Sequence, residues 1–191
     1  MRYLGAFAIL LLALSGSHVC AQGAFDRSLD LQGIVFRVTS ANNSSLNKLR
    51  IVPSGRLKEV QPIEREVDGT VVGAEVADLD GDGWPEIYVY VQSAGSGSYG
   101  TVVGHAVNRG QSLTPIFMPE LADDPKASAG YMGHDSFQVV KRWLVRRFPI
   151  YRQGDLNAAP SGGTRQLQYR LARGEAGWVL RLDPAKKRDA R

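Results

Sequence analysis

Apolar residues along this chain recur mostly with a period of two, the spacing that places alternate side chains on one face of a β-strand. The segments 33–39, 49–52, 70–76, 86–91, 101–107, 137–140, 143–150, 165–171 and 178–182 all follow it. They are rich in Val, Ile, Tyr, Phe and Trp, and Gly, Pro, Asn, Asp or Ser lie between most of them. No stretch sustains a helical period for three turns, and no internal repeat is visible. The pattern predicts an all-β fold, an antiparallel β-sandwich-like single domain. The polar link 172–177 holds two glycines and predicts a hairpin between the last two strands. Two connections stand out. Segment 119–133 is polar and predicts a short helical turn, while 153–164 is long enough to suggest a functional or packing role.

The N-terminus follows a different rule. Arg2 precedes an almost unbroken apolar run at 4–14, followed by small residues. The run is too short to span a bilayer as a stable helix and predicts a secretory signal cleaved after Ala21. Cys20 would suit a lipoprotein signal, but Val19 stands where such signals want a smaller residue. The expected organisation is a signal peptide at 1–21, one domain at 22–183 and a disordered basic tail at 184–191. No membrane anchor would remain after cleavage.

Export changes what the rest of the chain can do. Residues 22–191 contain no cysteine, which excludes disulfides, thiol catalysis and cysteine–zinc sites. The fold must rest on its core, and a chain of this length buries roughly 70% of its unfolded surface. Lys and Arg number 23 against 19 Asp and Glu, but the excess sits at the tail, and residues 22–183 carry 18 of each. Nucleic-acid binding needs a basic face on the folded body and is not expected. Arg142, Arg146, Arg147, Arg152, Arg165, Arg170, Arg173 and Arg181 make the last third locally basic; a solvated sheet face is the reading adopted for them.

Two motifs carry candidate chemistry. Asp78, Asp80 and Asp82 occupy positions 1, 3 and 5 of a run with Gly83 at position 6, the opening half of a calcium loop. Glu86 falls at position 9, but Val89 stands at position 12, where a bidentate carboxylate is needed. The same residues suit a turn between strands, because Asp side chains cap turns and Asp-Gly pairs favour positive φ. The second motif is 93–100, where Gly95, Gly97 and Gly100 formally spell a dinucleotide fingerprint. A strand rather than a helix follows, so no phosphate site is expected. What remains is a slim loop presenting the hydroxyls of Ser96, Ser98 and Tyr99. It reads as a plain hairpin connection or as a protruding recognition loop.

Active-site logic finds little. Beyond the signal only His105 and His134 remain, no nucleophile context accompanies them, and no catalytic residue is assigned.

Several separate blocks carry a resemblance. The run from Asp78 through SGSYG, then GYMGHDSF (130–137), LVRRFPIY (144–151), NAAPSGGTRQLQYRL (157–171) and GEAGWVLRLD (174–183) is similar to the periplasmic inhibitors of invertebrate-type lysozyme. The resemblance covers most of 70–183, and 22–69 matches mainly in strand character. It implies an all-β periplasmic protein that protects peptidoglycan from the lysozyme of a host animal. It also implies that a Ser-Gly-x-Tyr loop enters the lysozyme cleft. Here that loop is Ser96, Gly97, Ser98 and Tyr99, so Ser96 and Tyr99 inherit the key contacts, with Gly95 and Gly100 shaping the backbone. The expected partner is an invertebrate-type lysozyme, and exposed strand edges leave a homodimer open. The competing expectation is a calcium-stabilised exported β-sandwich that binds glycan or a surface protein.

Overall fold

Strand β6 (Glu86–Gln92) is apolar on both faces, and its surroundings follow from that. In the computed structural model, which describes residues 23–58 and 60–190, all six residues from Glu86 to Val91 are buried. Tyr88 and Tyr90 point into one core, and Ile87, Val89 and Val91 into another. A strand buried on both sides needs a layer on each.

The first layer is a four-stranded antiparallel sheet in the order β1 (Phe25–Leu31), β2 (Ile34–Ser40), β3 (Leu46–Gly55), β4 (Ile63–Asp68). Its apolar face, including Ile34, Phe36, Val38, Leu49 and Ile51, packs on the outward side chains of β5 (Thr70–Ala77), β6 and β7 (Gly100–Asn108). These strands belong to a nine-stranded sheet. It continues through β8 (Ser112–Phe117), β12 (Trp178–Leu182), β11 (Thr164–Arg173) and β10 (Trp143–Pro149) to β9 (Ser136–Val140). Its neighbours run antiparallel except β8 and β12, which pair in parallel at Trp178–Ile116 and Val179–Phe117. The sheet curls until its two edges meet. Val139 N on β9 donates to Glu75 Oε2 on β5 at 2.7 Å, and the Tyr90 hydroxyl donates to the same oxygen. The near-barrel so formed encloses the second core, in which Tyr88, Leu144, Phe148, Leu167 and Leu180 are almost wholly buried. Each such side chain is worth about 1.5–3 kcal/mol relative to exposure.

The predicted all-β sandwich-like fold is therefore present, and β11 and β12 form the expected hairpin. Four strands escape the periodicity. Strand β1 buries only Phe25 and β4 only Val67, so neither shows an alternating apolar face. In β8 only Ile116 is buried and Pro115 interrupts the run. Segment 119–133 holds a 3-10 turn (Leu121–Asp123) and a single turn of helix, α1 (Pro125–Ser128), whose first amides are capped by Asp124. The signal expected at 1–21 lies outside the described residues.

The fourth missed strand lies in the tail expected at 184–191. After a 3-10 turn at Pro184–Lys186 the chain resumes as β13 (Arg188–Ala190), which pairs with Thr164, Arg165 and Gln166 of β11. The cause is a buried charge. Arg165 lies on the inward face of β11, and Asp189 meets it in a bidentate pair at 2.8 and 2.9 Å. Arg165 Nη1 also donates to the carbonyls of Ala127 and Ala129. Arg165 and Arg146 thus depart from the predicted solvated face: both are buried and paired.

Candidate functional site

The connection between β6 and β7 is closed at its base by two hydrogen bonds. Ser93 N donates to Tyr99 O, and Tyr99 N donates to Ser93 Oγ, each at 2.9 Å. Within the loop Ser98 N donates to Gly95 O at 3.2 Å, with Gly95 at φ +124° and Ser98 at φ +44°. The first of these conformations favours glycine. Gly97 is glycine for another reason: a Cβ there would collide with the ring of Tyr99.

Two further loops grip this one. His134 N donates to Gly97 O at 2.8 Å, and Asn157 Nδ2 donates to Ser96 O at 2.7 Å. The carbonyls of Gly95, Ser96 and Gly97 are thus all engaged by the protein itself. Ser96 and Tyr99 remain exposed, Tyr99 at 48%. Neither Ser96 Oγ nor the Tyr99 hydroxyl has a hydrogen-bond partner among the described residues. The Tyr99 ring rests edge-on against Tyr131, 5.6 Å between centroids.

Beneath the loop lies a buried ionic cluster. The Asp135 carboxylate is fully buried and accepts from Gly100 N at 2.8 Å, the Tyr131 hydroxyl at 2.5 Å and Arg146 Nε at 2.6 Å. Arg146 also donates to the Tyr131 hydroxyl and lies over the rings of Tyr131, Phe137 and Phe148. Burial works to lower the Arg146 pKa, but its hydrogen bond and charge attraction to Asp135 outweigh this and raise it. Burial, reinforced by the hydrogen bond to Asp135, pushes the Tyr131 phenol up. Gly100 packs directly on the cluster: a Cβ there would stand 2.6 Å from Asp135 Cβ.

Sequence reasoning missed this cluster and Asn157. A signal for the first was present. Arg146 sits between Leu144 and Phe148 on the inward face of β10, a place where a charge needs a buried partner. Asn157 lies in segment 153–164, and its Oδ1 is 3.2 Å from His134 Nε2.

The acidic turn lies at the opposite end of β6. Asp78, Asp80 and Glu86 bring one carboxylate oxygen each within 4.8 Å of one another. Asp82, the third predicted ligand, is not in that group, and its Oδ1 accepts from Trp84 N at 2.8 Å. Asp78 accepts from Gly81 N at 2.6 Å, Gly83 N at 3.0 Å and Gln32 Nε2 at 3.1 Å. Glu86 accepts from Leu79 N at 2.8 Å, and the Arg142 guanidinium covers Gly81. Burial above all pushes the Glu86 carboxyl up to about 8, with the charges of Asp80, Asp78 and Asp82 adding to it against the bond from Leu79. These carboxylates serve as acceptors that fold the turn, and a cation would join or replace those bonds.

The two histidines are not brought together. His134 stacks on Tyr151, whereas His105 is buried on β7 with Nδ1 unpartnered, on the face shared with Val103 and Val107.

Residues 53–123 match the family model described as periplasmic lysozyme inhibitor of I-type lysozyme. The matched segment runs from the end of β3 through the 3-10 turn after β8, and so includes both the acidic turn and the Ser93–Tyr99 loop. No curated protein matches the chain.

Proposed function

We propose that this chain is a periplasmic inhibitor of I-type lysozyme and that the loop carrying Ser96 and Tyr99 plugs the enzyme's cleft. The family match over 53–123 supports the general reading, an inhibitor that acts on this class of enzyme. One observation carries the finer one. Three consecutive carbonyls at the loop tip are tied inward while the Ser96 and Tyr99 side chains face solvent.

A lysozyme works with two carboxyl groups, one kept protonated and one ionised. Hydroxyl donors set against an ionised carboxylate make charge-assisted hydrogen bonds worth about 1.5–3 kcal/mol each. A loop already fixed in shape loses little entropy on docking, so more of that energy appears as affinity. Occlusion forms no covalent bond and needs no catalytic group on the inhibitor. Among the described residues no helix is long and apolar enough to cross a membrane. The target is a host animal's lysozyme, and the benefit is intact peptidoglycan.

The test is the double variant Ser96→Ala/Tyr99→Ala. Its inhibition constant should rise at least a hundredfold, consistent with loss of two charge-assisted bonds, while its melting temperature stays near wild type. Undiminished inhibition by the folded variant would remove the plug.

A second reading attaches to the convergence of Asp78, Asp80 and Glu86: a calcium-stabilised domain that binds glycan or a surface protein. It requires melting to rise with millimolar calcium and fall with chelator, and binding to follow the same dependence.

A further inference from the structure

Three exposed apolar side chains lie on the proposed plug or beside the residues that brace it. Tyr99 is on the loop itself, Met132 (42% exposed) lies two residues before His134, and Leu156 (74% exposed) immediately precedes Asn157. His134 and Asn157 are the residues that hold Gly97 and Ser96, so all three side chains ride on one hydrogen-bonded unit. The other exposed large apolar residues among the described residues, Leu46, Val72, Phe117 and Val140, lie on strands and on none of these loops.

A solitary exposed leucine needs no explanation. Leu156 differs because the backbone on either side of it is hydrogen-bonded in place. Asp155 accepts from Arg152 N at 2.7 Å and from both Ser161 N and Ser161 Oγ at 2.8 Å. Ala159 N donates to Leu156 O, and the Tyr151 hydroxyl donates to Asn157 O. On the Met132 side, Tyr131 is anchored to Asp135 and Arg146, and Tyr151 N donates to Gly130 O. Both side chains are held outward by ordered backbone.

Resting on the plug reading, we propose that Met132 and Leu156 form an apolar shoulder that seats on an apolar lip of the I-type lysozyme cleft. The physical reason is water. Hydroxyl-to-carboxylate bonds at the plug reach full strength only when solvent is excluded, and a ring of apolar contacts around a polar anchor does that. The shoulder therefore slows dissociation and selects lysozymes whose cleft rim is apolar at the matching positions. It is a specificity element separate from the hydroxyls of the plug.

The experiment uses protein purified after export of the full chain. Variants Leu156→Asp, Leu156→Ser, Met132→Ser and Val140→Ser are compared with Ser96→Ala/Tyr99→Ala. Val140 is exposed but is the last residue of β9, at the far end of that strand from Asp135. Inhibition constants and dissociation rates against an I-type lysozyme are read beside melting temperature and size-exclusion mass. Each shoulder variant should dissociate roughly five- to thirtyfold faster, with Val140→Ser unchanged; should Leu156→Asp fail to fold, Leu156→Ser carries the comparison. Folded shoulder variants with wild-type constants, beside a failed Ser96→Ala/Tyr99→Ala, would overturn the shoulder and leave the plug standing. Wild-type constants in every variant would overturn both. A wild-type dimer split by Leu156→Asp would assign this face to a second copy and overturn the shoulder.

Discussion

Asn157 makes one contact with the proposed plug, from its amide to the carbonyl of Ser96 at 2.7 Å, and that contact separates loop shape from loop chemistry. Asn157→Ala removes the brace, together with the 3.2 Å contact to His134 Nε2, and leaves both hydroxyls of the proposed plug in place. Inhibition should weaken roughly three- to tenfold, as expected for loss of one hydrogen bond of about 1 kcal/mol, with little change in melting temperature. An inhibition constant equal to wild type would mean that the loop holds its shape without Asn157. Asp135 is a different kind of support. Its replacement by Ala strands a buried guanidinium, and breaking such a pair costs about 3–5 kcal/mol. Denaturant unfolding of Asp135→Ala should show that loss, and a loss below 1 kcal/mol would mean that water reaches Arg146. At this scale the sequence was partly legible. Ser96 and Tyr99 stand in an uninterrupted motif, whereas Asp135 is bonded to Arg146 and Gly100, 11 and 35 residues away, and Asn157 to Ser96, 61 residues away, and no local pattern records such pairings.

At the scale of elements, legibility followed burial. Strands with several buried side chains on one face, such as β2 and β11, announced themselves by alternation. Strands β1, β4 and β8 bury one residue each and did not. Strand β13 was hidden differently, since a wholly exposed Arg-Asp-Ala segment is drawn into the sheet by the need of Arg165 for a carboxylate. Asp189→Asn should therefore lower stability by on the order of 1–2 kcal/mol, less than for a fully buried pair because nearly half of Asp189 is in water. An unchanged unfolding free energy would show that the carbonyls of Ala127 and Ala129 suffice for Arg165. On β7, burial first and the Arg65 charge second hold His105 at about 4, below its ordinary 6.5. The folded state then resists protonation that the unfolded chain accepts. The stability involved is fully present above pH 6.5 and lost as pH falls through 4, by on the order of 3 kcal/mol. Glu86 has the opposite slope, losing stability as pH rises from 4.5 through about 8, so the two must be separated by variants. Urea titrations of wild type and His105→Gln between pH 7 and pH 4 should diverge in slope, and parallel curves would contradict the assignment.

For the whole molecule, the architecture places its two motifs at opposite ends of β6. The acidic turn closes the β5–β6 connection and the hydroxyl-bearing loop the β6–β7 connection. The strand between them is buried on both faces, so the proposed plug stands on the most enclosed strand among the described residues. A rigid base under a slim, braced loop is what competitive occlusion requires, because a loop that yields on contact gives up affinity to ordering. The measurement closest to the central claim is a lytic assay of the exported chain against invertebrate-, chicken- and goose-type lysozymes, with and without EDTA. The account predicts inhibition of the invertebrate type at near-stoichiometric inhibitor, unchanged by EDTA. Unimpaired lysis by the invertebrate-type enzyme at excess inhibitor would contradict it, and inhibition that vanishes with EDTA would move the function to the acidic turn.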